Sequence, residues 1–370
     1  GPNLNSWIDG NGEARLASTA LTWEKAKKVN LGIDMTLFRQ RLSISCDVFT
    51  EKRFDILTNL NTSAGADIQR MNFPGVVGAS APWINSSKIK NYGVDFEVTW
   101  QDKIGRDFRY FIKPNFTFAR NKIEYTNEID WGKNTWRQAT GKPMNSNFTY
   151  VFDHFVANQA EADALNTLGI QGSFGKLIPG DVVYKDMNGD KVIDDKDRAA
   201  QGYPRCPEIM FGIPMGFSYK GFDFSILFQG ATNSSILLNG AAVYDFPNFH
   251  NDKMGKVKPM HLKRWTPETA ENAKYPALHL GTHNNNKNAQ SSLFLYDASY
   301  VRLKNIEIGY SLPYQLIKVA NLQQVRFYIQ GQNLLTWDKL GDVDVDPETN
   351  SNGTWYPIQK VFNFGVNITF

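Results

Sequence analysis

Residues 186–197 read Asp-Met-Asn-Gly-Asp-Lys-Val-Ile-Asp-Asp-Lys-Asp. Side-chain oxygens recur at the first, third, fifth, ninth and twelfth places (Asp186, Asn188, Asp190, Asp194 and Asp197), and Val192 offers its backbone carbonyl at the seventh. That spacing can wrap hard oxygen donors around a calcium ion. Two positions depart from the pattern. Lys191 stands where the sharp turn normally takes Gly, and Asp197 stands where a bidentate Glu closes the shell. The same residues also suit an acidic, hydrated loop closed by Asx turns. The segment is therefore a candidate Ca²⁺ site whose role would be to order a long loop, with the plain loop as the alternative.

Other chemistry is sparse. His279 and His283 are four residues apart, a metal-capable spacing only on a helix, and their Asn and Gly neighbours argue against one. No Gly-rich phosphate loop, no GxSxG and no HExxH occurs, so no enzyme is expected. Cys46 and Cys206 are too few for a disulfide framework and have no CxxC spacing; two free thiols are expected. Trp83, Trp131, Trp136 and Trp265 fall in polar connecting stretches, where exposed rings stack on sugars or anchor contacts between loops. Asp95 and Glu97 form a carboxylate pair on the polar face of a strand, which suits a hydrated interior better than a glycosidase pair.

The elements that must position these groups are strands. In 91–100, Tyr92, Val94, Phe96, Val98 and Trp100 alternate with polar residues or Gly. The same period of two runs through 29–37, 42–50, 108–118, 209–219, 222–229, 299–311, 325–332 and 362–370. In 299–311 the apolar parity slips between Leu303 and Ile306, the mark of a β-bulge. Pro114 and Pro214 interrupt proposed strands and require a bulge or shorter strands.

The connections alternate in length. Short links lie near residues 38–41, 102–107 and 220–221, with a moderate one at 312–322 that has room for a helical turn. Long ones cover about 57–88, 122–206, 234–294 and 337–356. Short turns on one rim and long loops on the other describe a transmembrane antiparallel β-barrel with external loops. Aromatics at both strand ends fit two interfacial girdles: Phe38, Trp100, Tyr219, Phe222, Tyr310 and Phe370 by the short turns, Trp23, Trp337 and Trp355 by the long loops.

Composition agrees. Forty Lys and Arg against 37 Asp and Glu give +3, too balanced for a nucleic-acid binder working by attraction to phosphate. No apolar run is long enough for a transmembrane helix, which leaves a barrel open. The polar strand faces carry Asp34, Asp47, Asp95, Glu97, Arg109, Lys113, Asp223 and Arg326, which would line a lumen. Nine strands cannot close a single-chain barrel with an even count, so the expectation is an all-β C-terminal part of a larger barrel. Gly1-Pro2-Asn3-Leu4 shows no signal peptide, so the expectation is that one is absent or already removed and that the chain starts inside a longer protein.

Three stretches resemble the SusC/RagA-like family of TonB-linked (TonB-dependent) outer-membrane transporters of Bacteroidetes. The first is Asp297-Ala-Ser-Tyr-Val-Arg-Leu-Lys-Asn-Ile-Glu-Ile-Gly-Tyr-Ser-Leu-Pro313, followed by Val325-Arg-Phe-Tyr-Ile-Gln-Gly-Gln-Asn-Leu-Leu-Thr-Trp337. The second is Pro179-Gly-Asp-Val-Val-Tyr-Lys-Asp-Met-Asn-Gly-Asp190 with Tyr219-Lys-Gly-Phe-Asp-Phe224, and the third is the terminal Phe362–Phe370. With Leu21-Thr-Trp-Glu-Lys25, the likeness runs over nearly the whole chain.

The resemblance implies a 22-stranded barrel with a plug domain that is not in this chain, and import of oligosaccharides or peptides on energy passed by TonB. It also implies a SusD-like surface lipoprotein as a lid, which the loop tryptophans could contact. Lipid and lipopolysaccharide would surround the barrel. Phe370 would be the aromatic assembly signal read by the barrel-assembly machinery. A surface-exposed binding or adhesive barrel without transport is the alternative, and the sequence before Gly1 would separate the two.

Overall fold

The structure, a computed structural model, describes residues 16–59, 81–170, 175–246, 257–279 and 286–370. Its strands in chain order are β1 (Lys25–Leu37), β2 (Leu42–Asn59), β3 (Trp83–Ile104), β4 (Phe108–Ile112), β5 (Asn115–Tyr125), β6 (Asn147–Tyr150), β7 (Phe152–Phe155), β8 (Val182–Tyr184), β9 (Arg198–Gln201), β10 (Ile209–Tyr219), β11 (Phe222–Thr232), β12 (Ser235–Leu237), β13 (Leu295–Asp297), β14 (Tyr300–Ser311), β15 (Gln324–Asp338) and β16 (Val361–Thr369). Helix α1 (Gln159–Leu168) lies in a loop, and α2 (Tyr314–Ile317) is the turn expected in the moderate connection.

One antiparallel sheet dominates, ordered β1-β2-β3-β4-β10-β11-β14-β15-β16, with β5 also pairing β3 and β10. Because β4 and β5 share both neighbours, they form one stave broken at Lys113-Pro114, and the sheet has the nine staves the alternation predicts. The prolines cost only their missing donors. The Pro114 carbonyl accepts from Val98 N at 2.9 Å, and the Pro214 carbonyl accepts from Lys113 N at 2.8 Å.

Register turns nine local patterns into one surface. Leu37 pairs Leu42, Leu42 pairs Trp100, Trp100 pairs Ile112, and Ile112 pairs Met215. Met215 then pairs Ile226, Ile226 pairs Ile306, Ile306 pairs Gly331, and Gly331 pairs Phe362. The row crosses every stave on one face. A one-residue slip anywhere would break it. The bulge expected near residue 304 is present: Leu303 and Asn305 have partners on both sides, and Lys304 is the residue skipped.

On the apolar face, Val29, Leu31, Ile33, Ile308, Ile329, Phe364 and Ile368 are each at least half exposed, so no second protein layer covers them. Such a continuous exposed apolar face needs a non-aqueous neighbour. At the short-turn rim the aromatics cluster as expected. Phe38 meets Trp100 edge-on at 6.4 Å, Phe108 stacks on Phe217 at 5.7 Å, and Phe222 lies 4.5 Å from Tyr310.

The strands outrun the sequence boundaries at the other rim. β2 has 18 residues and β3 has 22, where a tilted membrane crossing needs about 9–11. Expected loop 57–88 is thus partly strand, with Asn59 paired to Trp83, and its residues 60–80 lie outside the described residues. The apolar alternation fades there because both faces stand in water, while the backbone ladder continues. Loop 337–356 likewise contracts at its start and extends at its end, since β15 reaches Asp338 and β16 begins at Val361.

Candidate functional site

The site is built where the long connections fold over the polar face. Among the described residues, four buried clusters hold them together. The largest gathers Ile236, Leu238, Val243, Met260, Tyr275, Phe294, Leu340 and Val343 from two connections. Smaller ones join Tyr150, Val182, Tyr184 and Ile193; Val156, Ala162, Leu177 and Val183; and Ile123, Ala139 and Phe148. The connections therefore form a packed cap.

A buried polar network stitches distant parts of the cap. Asp181, fully buried, accepts from Ile178 N at 2.9 Å, from Asn286 Nδ2 at 3.0 Å and from His279 Nε2 at 2.8 Å. Asp245 accepts from His279 N at 3.0 Å and pairs with Lys287 Nζ at 3.3 Å. Gly180 sits at φ +87°, and the Trp265 and Ala277 side chains occupy the space its Cβ would need. Both the left-handed backbone and the close approach demand Gly. The Tyr244 hydroxyl, buried in the cap, is pushed up to about 12 by desolvation.

The cap is bolted to the sheet by arginines. Arg302, on β14 and buried, donates to Thr336 Oγ1 at 3.0 Å and forks to Asp346 and Glu348, both at 2.6 Å. Arg205 donates to the carbonyls of Pro347 and Thr349 at 2.9 and 2.8 Å. Burial pulls its pKa down, against the neighbouring Glu348 and Asp346. Beneath lies a cavity of about 580 Å³, floored by Asn115, Thr117, Gly212 and Gln229 and roofed by Arg205 and Glu348 among others. Its polar groups are mostly uncharged side-chain donors and acceptors.

Farther down the polar face, Arg326 on β15 reaches over β14 to Asp223 on β11, with Nε to Oδ1 at 3.0 Å, and also bonds Glu307 at 2.6 Å. Gly309 makes that reach possible, because a Cβ there would collide with the guanidinium.

The expected lumen residues share this face. Asp47 stands opposite Asp95, Asp34 and Glu97 flank Ser45, and Arg109 faces Ser218, which faces Asp223. Lys113 lies at the break between β4 and β5, with its ammonium 5.5 Å from the Phe111 ring.

A family model described as TonB dependent receptor-like, beta-barrel, matches residues 1–334. The chain belongs to this family. Among curated relatives, TonB-dependent receptor P3 of Formosa agariphila is 27% identical over 380 residues, covering 96% of this chain and 35% of its own length. TonB-dependent receptor SusC of Bacteroides thetaiotaomicron is 24% identical over 352 residues, covering 95% and 32%. Among solved structures, the RagAB peptide importer in its open-open state superposes with a TM-score of 0.69 at 22% identity, over 95% of this chain and 35% of that one, a likeness of fold. The chain spans about a third of the length of the curated relatives it matches.

This TonB-dependent receptor-like chain is thus an outer-membrane β-barrel portion, and its exposed apolar band is the face such barrels turn to lipid. No helix among the described residues is long and apolar enough to cross a membrane; the crossing elements are strands.

The 186–197 segment is folded around its own backbone. Asp186 accepts from Gly189 N and Lys191 N, both at 2.7 Å. Asp190 accepts from Val192 N at 3.0 Å, Asn188 from Asp190 N at 2.9 Å and Asp194 from Lys196 N at 2.8 Å. Asp197 takes Met187 N and Asp194 N at 2.8 Å each, and burial pushes its carboxyl up against those bonds. The donor types fit calcium. Among the described residues, however, no three carboxylates, His or Cys converge as a ready cation cage. Asp195, off the ligand spacing, anchors the segment to the fully buried Arg137 and Arg198 at 3.1 and 2.9 Å.

The expected sugar-stacking tryptophans are largely spent on packing. Trp265 is buried against Gly180, which corrects its reading as an exposed ring. Trp131 carries the Arg137 guanidinium 4.8 Å from its ring, and Trp136 donates Nε1 to the Lys196 carbonyl at 2.8 Å. Trp83 is half-buried at the start of β3. The freely exposed rings in the 339–360 connection are Trp355 and Tyr356, which line a second cavity of about 540 Å³ with Asp344. Their signal is two adjacent aromatics before Pro357 in a long loop; by sequence Trp355 is assigned to the girdle and Tyr356 has no assignment. His279 is held by Asp181, and His283 lies outside the described residues.

Proposed function

We propose that this chain supplies the C-terminal nine staves and the external cap of a TonB-dependent importer of nutrient oligomers, glycan or peptide. One observation carries the reading: an apolar row crosses all nine staves on one face, while, among the described residues, the connections that follow β5 and β15 pack over the opposite, polar face through Arg205, Glu348 and Arg302. A wall so built separates lipid from a hydrated interior, and the cap with its 580 Å³ cavity is where cargo would first meet the protein.

The remaining strands of a 22-stranded barrel, the plug and the TonB contact would come from other parts of the protein. Asp34, Asp47, Asp95, Glu97, Arg109, Lys113, Asp223 and Arg326 would face that interior, their mixed signs suiting contact with a plug. A SusD-like lipoprotein would close over the cap, with Trp136 in a loop and Trp83 at the outer end of β3 as the nearest candidate contacts. Calcium at Asp186, Asn188, Asp190, the Val192 carbonyl, Asp194 and Asp197 is proposed from donor type and spacing. Binding must draw Asp190 and Asp194 from Lys196, whose ammonium lies 3.6 and 3.1 Å away, so affinity on the order of 10⁻⁴–10⁻³ M is expected.

The decisive experiment measures uptake of labelled oligosaccharides and oligopeptides by cells carrying the full-length protein with and without a SusD-like lipoprotein from the same organism. Uptake should need both proteins and an energised TonB. Surface binding without TonB-dependent accumulation would instead favour an adhesive barrel.

A further inference from the structure

The lipid-facing side of the sheet is not evenly filled. Ile308 and Ile329 face one another across β14 and β15. Larger rings surround them: Phe222 and Tyr310 toward the short turns, Phe327 beside them, and Phe364 on β16. Two short aliphatic residues ringed by four aromatics leave a groove of about 460 Å³, whose outward-facing side chains are apolar but for the Tyr310 hydroxyl.

Next to the groove wall at Phe222, the short turn carries an exposed cation. Lys220 and Gly221 form the turn between β10 and β11 with φ of +46° and +89°, and the Gly221 carbonyl accepts from Ser311 N at 2.8 Å, pinning the turn to the end of β14. Phe222, a wall of the groove, follows at once. Lys220 is exposed, and its ammonium lies 5.3 Å from the Tyr219 ring; among the described residues no carboxylate pairs with it.

We propose that this groove is a binding site for a phospholipid, with one acyl chain lying over Ile308 and Ile329 and the phosphate at Lys220. The inference rests on the lipid-facing reading of the apolar band. Water finds one side-chain partner in this groove, the Tyr310 hydroxyl, fewer than the two to four it needs, whereas an acyl chain fills it and the interfacial ammonium neutralises the headgroup phosphate. A phospholipid is favoured over lipopolysaccharide because the cation stands at the short-turn rim, which in outer-membrane barrels is the periplasmic side.

The test uses the full-length protein in mild detergent with a phosphatidylglycerol carrying a diazirine in its acyl chain. Photolabelling should concentrate on peptides holding Phe222, Ile308, Ile329 or Phe364. Excess unlabelled phosphatidylglycerol should suppress it, and the double variant Ile308→Trp, Ile329→Trp should lose it. Lys220→Glu should reduce labelling, whereas Leu31→Trp, at an exposed apolar position on β1, should leave it unchanged. Even labelling of the outward face, unchanged labelling in the filled double variant, or competition by lipid A alone would overturn the proposal; unchanged labelling in Lys220→Glu would overturn the phosphate contact. Heat-modifiable gel mobility of the same samples separates the two ideas. A folded barrel labelled evenly sinks only the groove, while absence of the mobility shift in the wild type would undo the membrane reading itself.

Discussion

His261 and His154 sit in one cap and answer acid in opposite directions. His261 accepts from Lys258 N at Nδ1, 2.9 Å, and donates from Nε2 to the Val243 carbonyl at 3.0 Å. A backbone N–H can only donate and a carbonyl only accept, so the ring is neutral. Burial holds its pKa below the usual range. The opened chain then binds protons that the folded cap refuses, and stability here falls as pH drops below about 6.5. His154 is different. Burial pulls it down, but the carboxylates of Asp153 and Glu161, at 2.7 and 2.9 Å, win and raise its pKa. Its contribution is full below about 6.5 and is lost as pH climbs through the raised value. Hydrogen exchange, corrected for intrinsic rates, should therefore speed up across 257–264 on acidification and slow across 152–161. Parallel responses in both segments would contradict the assignment. The calcium proposal belongs to the same scale. Millimolar Ca²⁺ should slow exchange across 186–197 in the wild protein and not in Asp186→Asn; no change in the wild protein would remove the ion. Sequence spacing singled out this loop but passed over Asp181 and Arg302, whose side-chain partners come from remote loops and leave no local pattern, and Asp195, which joins the nearby Arg198 to the remote Arg137.

The staves were legible because lipid on one side and polar groups on the other impose a period of two on every crossing. Nine of nine emerge, as do the slip at Lys304 and the break at Pro114. Their outer ends were not legible, since strands surrounded by water carry no alternation. The same asymmetry sets a test. Ile226, in the apolar row between Met215 and Ile306, and Asp95, on the polar face, lie on central strands. Ile226→Arg should destabilise the inserted barrel by about 2–4 kcal/mol if it lies near the midplane, whereas Asp95→Arg should cost little. The ratio of heat-modified to unmodified protein in outer-membrane fractions reads both. Equal losses would mean that the faces are assigned wrongly. Phe370, 82% exposed at the end of β16, adds to the same assay. Its deletion should lower the amount inserted without lowering the melting point of what does insert, as a signal would and a packing residue would not.

At the scale of the molecule, the sheet has two unpaired edges. Among the described residues β1 pairs only β2, and β16 pairs only β15. Every residue of β1 is exposed, apolar and polar alike. In water such an edge recruits other strands, and in hydrocarbon its unpaired N–H and C=O groups cost several kcal/mol each. Closing β1 directly on β16 would give nine staves, an odd number that single-chain bacterial barrels avoid. It would also shrink the circumference on which the cap rests, though the cap already spans the staves from β5 to β15 through Arg302, Arg205 and Glu208, the last gripping Arg120 at 2.7 and 2.6 Å. The polypeptide of these 370 residues, produced alone with an export signal, should therefore appear as aggregate or periplasmic degradation product, while the full-length protein gives a heat-resistant barrel. Supplying the remaining part as a separate chain should rescue some heat-resistant species, because the ladder can be completed in trans. A heat-resistant barrel from these residues alone, with cross-links forming between β1 and β16, would show that nine staves close on themselves and would end the reading of this chain as one portion of a larger wall.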